Sequence, residues 1–307
     1  AISRNKTTLV KIVTPQGQAY LRPFLLQDKN CTVTTRSQSL ENQIAIHSFP
    51  AATRVSSAGN QCFYGDGSAD AGSFQFTRQR LFAESATELA LGSPFDYKRS
   101  TLIFIPDDMP QPNERGYQSM VERGIVELAA ELNGRMLVLF TSYSQLRETA
   151  ANISPRLALG NITIYDQATG GSRETLLESF KSTEKAVLLG TRSFWEGIDI
   201  PGNDLSALVI VRLPFAVPND PIFAARSGTY SDAFNDYAVP DAILRFRQGF
   251  GRLIRTQTDR GIVAIFDSRV IHKSYGMKFL ESLPDATLEY GKLDEIAKRA
   301  TDWLEQE

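Results

Sequence analysis

The densest chemistry in the chain lies in Gln248-Gly249-Phe250-Gly251-Arg252-Leu253-Ile254-Arg255. Guanidinium groups stay charged and bind phosphate oxygens two at a time, so a pair of arginines at fixed spacing suits a phosphate chain. Read as a helix, the segment places Gln248, Arg252 and Arg255 on one face at i, i+4 and i+7. Gly251 removes a side chain beside Arg252 and lets a large ligand or another domain approach the backbone. In phosphoryl transfer, an arginine so placed stabilises charge building on a γ-phosphate. Surface salt bridges would account for a lone arginine, but not for Gln-x-x-Gly-Arg-x-x-Arg as a set.

A second segment lies about fifty residues upstream: Gly190-Thr191-Arg192-Ser193-Phe194-Trp195-Glu196-Gly197-Ile198-Asp199-Ile200-Pro201-Gly202. Apolar runs flank it, Ala186-Val187-Leu188-Leu189 before and residues 205–213 after. It therefore reads as a loop and short helical turn between two buried parallel strands. Ligands bind at such strand ends in open α/β sheets. A Gly-rich turn with a satisfied aspartate is the alternative. Within the segment, a Phe-Trp pair beside buried strands points to core packing for Trp195.

The elements that must position these segments alternate from about residue 100. Strands are expected at residues 100–106, 136–140, 163–165, 186–189, 205–213 and 261–267, the last being the final clear strand. Helices are expected at 113–132, 144–152, 173–181, most of 220–256 with a break near Pro240, 273–283 and 293–306. In the first of them Tyr117, Val121, Ile125, Leu128 and Leu132 keep helical spacing, and Gly134 closes it. This alternation predicts βαβ units and a mostly parallel sheet flanked by helices. Upstream, residues 8–13 read as a strand closed by Pro15-Gln16-Gly17. Residues 28–70 show little periodicity, Gly65-Asp66-Gly67-Ser68 is a turn, 73–82 a short helix and 89–96 an extended linker.

The bulk numbers are those of a globular protein, with 42% hydrophobic and 22% charged residues and a net charge of −2. A nucleic-acid partner would have to meet a local basic face. No apolar run approaches the ~20 residues of a membrane span. Two cysteines, Cys31 and Cys62, cannot build a zinc site by themselves. Few cysteines and no export signal favour a cytoplasmic location. The chain has no G-x-x-x-x-G-K-[S/T] phosphate loop, and Asp294-Glu295-Ile296-Ala297 reads as the solvated face of a terminal helix rather than an acidic box.

The two segments resemble helicase motifs. Residues 248–255 resemble the last motif of superfamily 2 helicases, Q-x-x-G-R-x-x-R. Residues 190–202, with their Ser-Phe-Trp-Glu-Gly-Ile-Asp core, resemble the penultimate motif of the DinG/XPD branch. Leu137-Val138-Leu139-Phe140-Thr141-Ser142-Tyr143 resembles the motif that opens the second motor domain; Leu91-Gly92-Ser93-Pro94-Phe95 and Pro106-Asp107-Asp108-Met109-Pro110 resemble the family's lead-in. Order and spacing agree over residues 72–285. The resemblance implies a RecA-like second motor domain of the P-loop NTPase type, with ATP in a cleft shared with an upstream motor domain. It implies that Arg252 and Arg255 reach the γ-phosphate and that Gln248, beside Gly251, helps seat the nucleotide. Glu196, Gly197 and Asp199 would line the nucleotide side of the loop. Thr141, Ser142, Thr191 and Ser193 would hold the backbone of single-stranded DNA, unwound 5′ to 3′, in DNA repair or replication.

The chain also departs from the family. The phosphate loop and DEAH-like box are missing, so the ligands of Mg2+ would lie on the first motor domain. Any iron–sulphur cluster or exonuclease domain would lie upstream too. A strand ending Thr-Ser-Ala-Thr normally precedes the position of Gly72; here only Ser68-Ala69 survives. These departures, with Ala1 at the start, predict a truncated chain with an altered junction over residues 1–71, a motor domain over 72–285, and a C-terminal helix over 286–307. With one wall of the ATP site, the chain is expected to be inactive alone. A noncatalytic nucleic-acid-binding module and a different phosphate-handling α/β enzyme remain competing readings.

Overall fold

The computed structural model describes residues 95–306, apart from 168–171, 196–199, 201–204 and 218–219, together with six short strands within residues 1–94. By its contacts the chain divides between Pro94 and Phe95. In the first unit β1 (Thr7–Val13) pairs antiparallel with β2 (Ala19–Leu25), β3 (Val33–Thr34) with β4 (Ala45–Ile46), and β5 (Arg54–Ser56) with β6 (Cys62–Tyr64). The expected strand at residues 8–13 is β1. The turns at 15–17 and 65–68, the helix at 73–82, the linker up to residue 94 and the 71/72 boundary lie outside the described residues.

The second unit is built on seven strands: β7 (Thr101–Pro106), β8 (Met136–Leu139), β9 (Thr163–Asp166), β10 (Ala186–Gly190), β11 (Ala207–Ile210), β12 (Gly261–Ile265) and β13 (Thr287–Gly291). Their order is β13-β7-β12-β11-β8-β10-β9, and every pairing is parallel. Strands β7, β8, β10, β11 and β12 are buried along their whole length. Parallel strands covered by helices on both faces read as unbroken apolar runs, which is why the sequence shows them.

Helix α1 (Tyr97–Ser100) leads into β7, with the Asp96 side chain accepting from Arg99 N. On one face of the sheet lie α2 (Tyr117–Glu131) and α3 (Tyr143–Ala158), which pack on each other, and the terminal helix α10 (Ile296–Glu305) packs on α2. Val121, Ile125, Leu128, Ile153, Leu157, Ile296 and Trp303 form one core there with Leu102, Phe104, Val138, Leu189, Val209 and Phe266. Helix α3 runs beyond the expected end at residue 152 and carries Pro155 inside it. Burial of Ile153 and Leu157 holds the last turn against the missing proline N–H. The remaining helices are α4 (Arg173–Ser182), α5 (Arg192–Trp195), α6 (Pro221–Ser227), α7 (Val239–Phe250), α8 (Arg269–His272) and α9 (Gly276–Glu281).

Three expectations change. The helical chain between 220 and 256 is interrupted at residues 228–232 rather than at Pro240, which sits where a π-helical run at Ala233–Ala238 passes into α7. Residues 286–307 are not simply a helix: β13 comes first and hydrogen-bonds to β7. As an edge strand it alternates half-buried and exposed residues, with Leu288 and Tyr290 outward, and that mixed pattern conceals it. Finally, α7 ends at Phe250, so Arg252 and Arg255 are not on its helical face.

Gly134, expected to close the first long helix, has φ +81, and a Cβ there would lie 2.5 Å from Ala186 N and 2.7 Å from Ala186 O. The conformation and the backbone contact both require glycine. Gly134→Ala is expected to lower stability by about 2 kcal/mol or more, read as a lower urea midpoint at unchanged m-value.

Candidate functional site

All seven strands run the same way, so their carboxyl ends emerge on one edge. Thr141 and Ser142 follow β8, Gln167 follows β9, Thr191 follows β10 and Asp267 follows β12. Ser142 caps α3: its Oγ accepts from Gln145 N at 3.3 Å and lies 2.7 Å from Ser144 Oγ. Ser172 caps α4 in the same way, accepting from Thr175 N at 3.1 Å. Two helices of ten residues or more thus begin on this edge, with partial positive charge at their starts. Thr141 is exposed and Ser142 half-buried.

Gln167, which nothing in the sequence marks, ties this edge together. Its Oε1 accepts from Thr191 N at 3.1 Å and from Thr191 Oγ1 at 2.6 Å. Its Nε2 donates to Ser193 Oγ at 2.8 Å, and its backbone carbonyl accepts from Tyr143 OH at 2.9 Å. Arg173 Nη1 adds a bond to the Ser193 carbonyl at 3.3 Å. The expected hydroxyl-bearing loops after β8 and β10 are therefore brought together. Within α5 the side chains divide: Arg192 and Ser193 are exposed, Phe194 and Trp195 buried. Gly190 permits this turn, since a Cβ would lie 2.5 Å from Phe194 Cβ.

Trp195 is 2% exposed and its Nε1 donates to the Phe140 carbonyl at 3.2 Å. It is a core residue, not a platform for a base. Its ring lies against α7 where Gly249 has no side chain: a Cβ there would meet Trp195 Cε3 at 2.7 Å and Leu139 Cδ1 at 3.1 Å. The Trp195 carbonyl accepts from Arg252 Nε at 3.2 Å. The two segments expected to share a site are thus in direct contact. Glu196, Gly197 and Asp199 lie outside the described residues.

The arginines are held differently from the expected helical face. Gly251 ends α7, donating its N–H to the Arg247 carbonyl at 2.9 Å. Glycine is a poor helix residue and a common terminator, so the chain turns there and carries Leu253 and Ile254 inward. Arg252, just before them, is drawn in as well and is 3% exposed, while Arg255 is half-buried. Asp259 fixes the turn: its carboxylate accepts from Arg255 N at 2.7 Å, from Thr256 N at 2.8 Å, and from Thr256 Oγ1. Gln248 is half-buried, and among the described residues its Oε1 has no hydrogen-bond partner. Arg247, adjacent in sequence and not singled out by its spacing, is buried, and burial pushes its guanidinium down to about 10. It still carries its charge at neutral pH.

Asp267 organises the other end of the edge. Its buried carboxylate accepts from Leu213 N at 2.7 Å and from Arg269 Nη2 at 2.6 Å. Burial, with this carboxylate adding to it, pushes the Tyr117 hydroxyl above its usual range. Tyr117 therefore stays protonated and donates to the Val211 carbonyl, and Arg212 stacks over its ring at 5.2 Å. Among the described residues no group of three or more His, Cys, Asp or Glu side chains could hold a metal ion, and no helix is long and apolar enough to cross a membrane.

The domain is thus an all-parallel α/β sheet with hydroxyls and helix starts on its carboxyl edge and an arginine segment bonded to the loop after β10. The chain belongs to the helicase C-terminal domain family, which residues 125–286, more than half its length, match. It is 36% identical over 227 residues to the 3'-5' exonuclease DinG of Bacillus subtilis, covering 71% of this chain and 24% of that protein. It is 37% identical over 220 residues to the ATP-dependent DNA helicase YoaA of Haemophilus influenzae, covering 70% of this chain and 34% of the relative. The chain thus spans about a quarter to a third of the length of these relatives. An apo XPD structure aligns at a TM-score of 0.49 and 21% identity, over 63% of this chain and 40% of the other.

Asp259 accepts from two backbone N–H groups of this turn. Asp259→Ala is expected to cost about 2–3 kcal/mol, and Asp259→Asn, which keeps an acceptor, appreciably less. Urea unfolding of both variants checks the order.

Proposed function

We propose that this chain is the second motor domain of an ATP-dependent DNA helicase, binding ATP across a cleft shared with an upstream motor domain and holding single-stranded DNA on the carboxyl edge of its sheet. The observation that carries the reading is the bond from Arg252 Nε to the Trp195 carbonyl, which joins the arginine segment to the loop that bears Thr191 and Ser193. The names of the relatives, DinG and YoaA, agree with it.

ATP fits the residues present. Arg255 and Arg252 supply fixed positive charge for the γ-phosphate, and Gln248 keeps an unpaired amide oxygen for a donor of the nucleotide. ATP, with Mg2+ held by the upstream domain, supplies the phosphoryl group that is transferred to water. This chain's part is electrostatic: its arginines stabilise charge as it develops on that group. On the strand side, Thr141 and Ser142 stand where α3 begins, and the α4 start stands near Gln167. Hydroxyls and helix N-termini hold phosphates without reading bases, which suits a motor that must move along any sequence. Movement 5′ to 3′, work in DNA repair or replication, and a cytoplasmic location complete the proposal.

Hydrolysis also needs a phosphate-loop lysine and a magnesium-holding carboxylate. The 307-residue chain alone is therefore expected to show no DNA-stimulated ATP turnover. Fused behind a DinG-type first motor domain it is expected to turn over ATP, and Arg255→Lys in that fusion to lower kcat by about 10³-fold with little change in KM. Turnover by the isolated chain, abolished by Arg252→Ala, would overturn this reading. DNA binding that is indifferent to the added domain and to ATP would favour a noncatalytic binding module instead.

A further inference from the structure

The polarity of two hydroxyls on the carboxyl edge is settled by a single backbone group. Thr191 N is a donor, so the Gln167 side-chain atom 3.1 Å from it must be the amide oxygen. That assignment, usually ambiguous for an amide, leaves Nε2 as the atom 2.8 Å from Ser193 Oγ. An amide nitrogen only donates, so the Ser193 hydroxyl accepts here and its own proton points elsewhere. Thr191 stands the other way round. Its hydroxyl lies 2.6 Å from the same Oε1, which cannot donate, so both Thr191 donors are spent on Gln167. Ser193 is exposed and Thr191 half-buried.

We infer that Gln167 is a positioning residue that sets Ser193 as the hydrogen-bond donor to a DNA phosphate and removes Thr191 from that task. The inference rests on the proposed strand-holding face and divides the labour within it. A phosphate oxygen only accepts, so a hydroxyl serves it only with its proton free. Gln167 leaves the Ser193 proton free and consumes that of Thr191. Thr191 is thus part of the clamp on Gln167. The Tyr143 hydroxyl on the Gln167 carbonyl, at 2.9 Å, fixes the backbone of the clamp from the β8 side.

The test is binding of fluorescent oligothymidylate to the 307-residue chain at low salt, with variants checked for folding by circular dichroism and thermal melting. Ser193→Ala is expected to weaken binding on the order of tenfold to a hundredfold, the loss of one hydrogen bond to a charged group. Gln167→Met is expected to do the same in the unaltered chain and to have almost no further effect in the Ser193→Ala background, because it acts through Ser193. The salt dependence should keep its slope, since no cation is removed. Gln167→Glu supplies a second test should Gln167→Met fold poorly. Its carboxylate still accepts from Thr191 but also accepts from Ser193, so the serine proton turns away from the strand, and the coupling to Ser193→Ala should persist. Fully additive losses, or a Gln167 variant that binds normally while Ser193→Ala does not, would overturn the inference and leave the strand-holding face standing. An unaltered chain that fails to bind, or a Ser193→Ala chain that binds normally, would overturn the assignment of the face itself.

Discussion

The rest of the domain depends on the fit of one indole against one missing side chain. Trp195 occupies the space left open at Gly249 and bonds to the Phe140 carbonyl. Burying a tryptophan removes about 150–250 Å² from water, of order 4–6 kcal/mol at the usual area coefficient. The stabilisation is delivered at a point where three distant stretches meet: the end of β8, the α5 loop and the end of α7. A methyl group at residue 249 has nowhere to go, because the ring is rigid and Leu139 closes the other side. The same ring places the Trp195 carbonyl where Arg252 can donate to it. A core contact, rather than a surface ion pair, thus sets the relation between the two segments richest in polar chemistry.

Much of this is legible in the sequence, and the reason is physical. Central parallel strands are buried on both faces, so Leu102 to Ile105, Met136 to Leu139 and Ile262 to Ile265 stand out as apolar runs. The stripe from Tyr117 to Leu128 declares α2 by its spacing. Where the structure departs from the local pattern, the surroundings override it. Helical spacing from Gln248 to Arg255 is real in the sequence, but Gly251 ends the helix and Leu253 and Ile254 pull the following turn into the core, taking Arg252 with them. Strand β13 has no apolar run because it lies at the edge, where Leu288 and Tyr290 face outward.

Gln167 is the instructive omission. A glutamine at the end of a short strand has no local signature; its partners lie 24 and 26 residues later, and only the parallel pairing of β9 with β10 brings them within reach. Asp259 differs, because its partners are three and four residues away and an aspartate following Thr-Gln-Thr is the kind of residue that closes a turn. Sequence reading can find the second kind of positioning residue and is blind to the first.

These placements bear on how a loop could serve two ligands. Helix α5 is a single turn, and its two ends are pinned by different partners. Gln167 holds Thr191 and Ser193 at one end; Arg252 holds the Trp195 carbonyl at the other. Phe194 and Trp195 fill the core beneath it, so the turn cannot flex in its middle without opening a cavity. On the proposed reading, a nucleotide that draws on Arg252 pulls on the same rigid turn whose exposed side presents Ser193 to the strand. A loose loop would dissipate that displacement. A one-turn helix clamped at both ends and packed below passes it on.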